Sequence, residues 1–265
     1  MPGPCSNTDR RATWLQTALQ HDRTALIVLA LLVPLVCWWW IAVMARDMYG
    51  PMTGASAWMM RSRWDAPHLV LLWGMWAVMM IAMMLPSAAP MILLAGGAAR
   101  RHDDNDGARQ TWLLALGYVA VWALFSMGAT TLQWGLARLL VLTPMMEASS
   151  RPAAGVFLAV AGIYQWTPLK RKCLTTCQSP LAFLMRRWHS GSWGAFRMGL
   201  AHGAYCVGCC WALMLLLFAG GVMNLTVIVA LTALVAFEKL APAGVQSARV
   251  SGLLLMAAAA WMLIT

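Results

Sequence analysis

Between Met198 and Phe237 the chain runs for 40 residues without a charged side chain, and between Leu69 and Ala99 for another 31. As single helices these runs would measure about 60 and 46 Å, against ~30 Å for the hydrocarbon core of a bilayer. A soluble domain has no use for apolar segments of that length. With 61% hydrophobic and only 11% charged residues overall, the chain reads as an all-α, polytopic transmembrane helix bundle.

Seven spans account for the hydropathy pattern, behind a polar tail at 1–24. Ala25 to Ala45 is uncharged for 21 residues, longer than the ~7–15 apolar residues of a cleaved signal, and reads as a retained anchor. Further spans follow at Leu69 to Ala99, Gln110 to Ala137 and Pro152 to Leu169. The 40-residue run is too long for one crossing and divides at Gly220 and Gly221 into spans near 198–219 and 223–240. Val250 to Thr265 closes the transmembrane domain, 25–265. Pro86 and Pro90 each remove a backbone donor within the second span, which predicts a kink or a break there. The stretch from Lys170 to Arg197 reads as a basic loop.

Orientation follows from Lys and Arg. With the N-terminus in the cytoplasm, 14 of the 19 basic residues fall on the inner side and 5 on the outer, the bias expected of cytoplasmic loops. The same bias explains the net charge of +10. The lipid bilayer is thus the expected partner, and nucleic acid is not.

Five of the seven cysteines, Cys173, Cys177, Cys206, Cys209 and Cys210, lie within 38 positions. In a membrane chain such clustering points to metal or redox chemistry or to packing. The stretch HGAYCVGCC carries three of them. On a helix His202, Cys206 and Cys210 share one stripe, with Cys209 beside it. Thiolate and imidazole suit Cu(I) and Zn(II) far better than hard cations. Cys173 and Cys177, directly after Lys170, Arg171 and Lys172, would stand one turn apart on a helix. The adjacent positive charges are expected to lower their pKa values and favour thiolate.

Three further features bear on such a site. Met75, Met79 and Met83 repeat every four residues in the second span, with Met80 and Met84 alongside, a candidate thioether transfer path for a soft monovalent ion. Glu238 is the first charge after the 40-residue run, and a carboxylate near a span end is costly unless paired or wet. Glu238 and Asn224 are therefore candidate accessory residues.

AMMLPSAAPM in the second span, YQWTPLKRKCLTTCQSPL at 164–181 and GLAHGAYCVGCCWALMLLLFAGGVMN at 199–224, followed by Glu238 and Lys239, closely resemble family 2182 of the bacterial domains of unknown function. Its members are described as predicted metal-binding integral membrane proteins. The resemblance covers a core of roughly 68–242. It implies a multi-pass protein of the bacterial inner (cytoplasmic) membrane with a metal site at Cys173, Cys177, Cys206, Cys209 and Cys210.

The leading expectation is a non-enzymatic protein that binds copper as Cu(I), or else zinc, and handles or transports it, working with a metallochaperone or with other subunits of a membrane complex. Two alternatives stand beside it. One is a membrane thiol-disulfide oxidoreductase, in which one cysteine pair exchanges with the other. The other is a non-catalytic subunit of a larger assembly. The chain carries no Walker sequence and no haem attachment motif, which argues against ATP-driven pumping and haem chemistry.

Overall fold

The computed structural model describes residues 31–50, 57, 64–102, 107–189 and 191–265. The polar tail at 1–24 and the first residues of the expected anchor span lie outside them. The described residues are helical almost throughout. Helix α1 covers Leu31–Met48, α2 Ala66–His102, α3 Gly107–Arg138 and α4 Arg151–Gln165. Then come α5 (Pro168–Gln178), α6 (Pro180–Arg187), α7 (Gly191–Met214), α8 (Leu216–Gly220), α9 (Leu225–Leu240) and α10 (Gly244–Ile264).

Among the described residues five segments are long and apolar enough to cross a membrane: α1, α2, α3, α7 with α8, and α10. Two of the seven expected spans fall short. Helix α4 has 15 residues and α9 has 16, about 22 and 24 Å of helix. Capping sets both lengths. The Ser150 hydroxyl accepts from Ala153 N to start α4 ahead of Pro152, and the chain then turns at Trp166 and restarts at Thr167, whose hydroxyl accepts from Lys170 N. Asn224 likewise begins α9 by accepting from Thr226 N and Val227 N. The expected division of the 40-residue run falls where the structure turns. Gly221 has φ +93°, a conformation open to glycine and strained for other residues.

Of the kink or break expected at the prolines, the break does not occur: α2 runs through both Pro86 and Pro90 as one helix. Pro86 has no N–H to give the carbonyl four residues back, that of Ala82. The indole of Trp38, on α1, donates to this oxygen at 3.2 Å. A neighbouring helix thus satisfies the group that the proline leaves without a donor. A third correction concerns the basic stretch after Leu169, which forms α5 and α6 and the start of α7 instead of a loop.

Helix α3 packs along both α2 and α7, and α4 along α10. At the α3–α7 crossing Gly117 faces the Phe196 carbonyl and Gly199 the Leu114 carbonyl, with no room for a Cβ at either. Small residues at such a crossing bring the two backbones together. At the far end of α2, Trp76 Nε1 donates to Gln133 Oε1 of α3 at 2.7 Å. The outward faces present Leu35, Trp39, Leu124, Leu254 and Trp261, all exposed, as helices facing lipid do. The interior is rich in methionine, including Met44, Met48, Met75, Met79, Met80, Met83, Met84, Met91, Met214 and Met223.

Candidate soft-metal centre

Helix α7 carries His202, Cys206, Cys209 and Cys210, all buried. Helical spacing aligns His202, Cys206 and Cys210 on one face; α7 packs against α3 and α5, and side chains of α2 and α9, Met84 and Lys239, close the remaining side. Helix α5 reaches α7 because position 208 is glycine. A Cβ there would stand 2.8 Å from Cys173 Sγ, tighter than side chains tolerate. Tyr164 of α4 donates its hydroxyl to the Gly208 carbonyl and fixes the same point. Cys173 thereby lies against the cysteine-bearing turn of α7, and Cys177, one turn on, packs against the same buried core. The two cysteine groups, 29 residues apart between Cys177 and Cys206 in sequence, meet in one place.

The side of this cluster facing α2 and α9 is built from sulfur and one amine. Cys210 Sγ stands 3.8 Å from Met84 Sδ. Lys239 of α9 brings Nζ to 2.9 Å from Cys206 Sγ, 3.6 Å from Met84 Sδ and 3.3 Å from Ser87 Oγ. The Tyr118 hydroxyl of α3 lies 3.1 Å from Cys206 Sγ and donates to the Met84 carbonyl at 3.1 Å. His202, one turn before Cys206, sits between the rings of Tyr118 and Phe183, with centroids at 5.8 and 5.4 Å. Its Nδ1 is buried without a hydrogen-bond partner. A buried polar atom left unpartnered is costly and rare.

The thiols themselves are engaged locally. Cys209 and Cys210 both donate to the Cys206 carbonyl, at 3.1 and 3.0 Å, the back-bonding habit of short polar side chains on helices. In these rotamers no three or more His, Cys, Asp or Glu side chains among the described residues are arranged to hold a metal ion.

The expected lowering of the Cys173 and Cys177 pKa values is overturned. Burial pushes the Cys173 thiol up, and the neighbouring Cys209, together with burial, pushes the Cys177 thiol well up. The three neighbouring cations do not act on them. Lys170 is tied to a carboxylate on α9, and Arg171 and Lys172 are exposed on the opposite side of α5.

The other candidates are distributed as follows. Met75, Met79, Met80 and Met83 are buried in the core along α2, and Met84 brings its sulfur to the cluster. Glu238 sits elsewhere. Its Oε2 pairs with Lys170 Nζ at 2.6 Å, and its Oε1 accepts from Gln165 Nε2 at 2.9 Å and from Ser251 Oγ at 3.3 Å. Asn224 serves as the cap of α9. Sequence reasoning missed Lys239, Tyr118 and Ser87. The available signal was the pair Glu238–Lys239, two opposite charges about 100° apart on one helix, which cannot both face the same surroundings.

A model of the PpoB2 family, described as a copper chaperone, matches residues 73–262, well over half of the chain. The chain belongs to this copper-chaperone family. The matched region spans α2 from Trp73 onward through nearly all of α10, so it includes every residue of the sulfur cluster. No curated protein and no solved structure matches the chain.

Proposed function

We propose that this protein holds Cu(I) in the membrane-embedded cluster of Cys206 and Cys210, supported by Met84 and His202, and exchanges it with Cys173 and Cys177 on α5. The observation that carries this reading is the packing of both cysteine groups and a methionine sulfur around one turn of α7. Membership of a copper-chaperone family supports copper as the cargo. The motif resemblance to family 2182 agrees with metal binding in a bacterial inner membrane.

The chemistry follows from the donor set. Thiols must lose their protons to bind, so loading releases protons. Thioether sulfur adds a soft, neutral donor that suits Cu(I). Cu(I) then passes by replacement of one sulfur by another between α5 and α7, with no free ion in the lipid. Cys173 and Cys177 take the ion from a metallochaperone or membrane-complex subunit on the cytoplasmic side. The methionines of α2, Met75, Met79, Met80 and Met83, continue the route toward the opposite face. In this reading the N-terminus is cytoplasmic and the chain crosses the bilayer seven times, with α4 and α9 as shortened spans.

Purified protein loaded with Cu(I) under reducing conditions should retain close to one copper per chain. The double substitution Cys206→Ser and Cys210→Ser should reduce retention to background. A wild-type protein that retains no copper after loading would reject the reading.

A further inference from the structure

Lys239 is buried, and among the described residues no carboxylate lies against it. The adjacent Glu238 is committed to Lys170. The groups that Nζ does touch are the Cys206 thiol, the Ser87 hydroxyl and the Met84 thioether. A cation enclosed in an apolar interior needs an opposite charge, and the nearest atom able to carry one is Cys206 Sγ.

We propose that Lys239 is a specificity-determining residue that makes the Cys206–Cys210 site select a monovalent over a divalent soft ion. This inference rests on the copper reading above. Two thiolates and one monovalent ion carry a net charge of minus one, and the Lys239 ammonium brings the assembly to zero. With a divalent ion the two thiolates are already neutral, and the ammonium is left as an uncompensated buried charge. Met84 adds a third sulfur without altering this balance. Ser87 Oγ, at 3.3 Å, offers the ammonium an acceptor when the Cys206 sulfur turns to the ion. Cys209 does not enter the count because the sulfurs that reach Met84 and Lys239 are those of Cys210 and Cys206.

The test compares Ag(I) with Cd(II), two thiol-seeking ions that differ in charge, by competition titration of the full chain in detergent. Lys239→Gln should weaken Ag(I) binding about 10–100-fold, the range typical of groups that support metal ligands, while Cd(II) binding holds or tightens. Lys239→Arg, which keeps the charge, should retain most of the wild-type preference. Equal weakening of both ions in Lys239→Gln would overturn the proposal, since a merely structural lysine would act on both alike. An unchanged ratio would overturn it too. Wild type that binds neither Ag(I) nor Cu(I) would instead reject the copper reading on which the proposal rests.

Discussion

Among the described residues two lysines are buried, and they end in opposite surroundings. Lys170 of α5 meets Glu238 Oε2 at 2.6 Å, and Gln165 and Ser251 complete the other carboxylate oxygen. Lys239 of α9, the next residue after Glu238, meets a thiol at 2.9 Å and a thioether at 3.6 Å. The first lysine belongs to a closed polar clamp that fastens α5 to α4, α9 and α10. The second is an amine set against a thiol and a thioether, and in the proposed reading the thiol supplies the opposite charge when it binds metal. Burial of a charge therefore does not mark function by itself. What marks it is whether the partner is permanent or is supplied by a ligand.

Breaking the clamp should have the largest effect on stability. Glu238→Ala leaves Lys170 buried and unpaired, and removal of one partner from a buried pair costs about 3–5 kcal/mol. Replacing both Lys170 and Glu238 with methionine should recover most of that loss, because no charge is then stranded. Thermal unfolding in detergent measures both. Copper retained per folded molecule should stay near the wild-type level in the double variant, which would separate the clamp from the sulfur cluster. A smaller effect is expected from Tyr118→Phe, which removes the hydroxyl between Cys206 Sγ and the Met84 carbonyl. A typical hydrogen bond contributes about 0.5–1.5 kcal/mol, so the stability change should be well below that of Glu238→Ala. Equal losses in the two variants would remove the distinction drawn between the regions.

Much of the helical architecture can be read from the residues, because charge-free runs and glycines carry physical meaning in a membrane chain. The turn after Gly220 is an instance, where Gly221 adopts the positive φ that the split of a 40-residue run required. Span lengths were less legible. Hydropathy reports where apolar residues continue, whereas caps such as Ser150 and Asn224 decide where helices begin. That the helix continues through the prolines was hidden for a related reason. The donor that rescues the Ala82 carbonyl comes from Trp38, 44 residues away, and no local pattern announces it.

The same division holds at the candidate site. Cys206, Cys209, Cys210 and His202 were visible because soft donors at helical spacing are uncommon in apolar runs. Cys173 and Cys177 were visible as a pair, but their environment was not. Proximity to three cations in sequence suggested thiolate, whereas the fold turns those cations toward a carboxylate or to the surface. Lys239 was legible only as a neighbour of Glu238. Its contact with Cys206 joins α9 to α7 across 33 residues, and only the packed structure reveals it.

X-ray absorption at the copper edge of the Cu(I)-loaded full chain tests the central claim most directly. The account predicts a first shell dominated by sulfur in the wild type, with sulfur scattering lost in the variant carrying Cys206→Ser and Cys210→Ser. A shell of nitrogen and oxygen, or one unchanged by that double substitution, would contradict it.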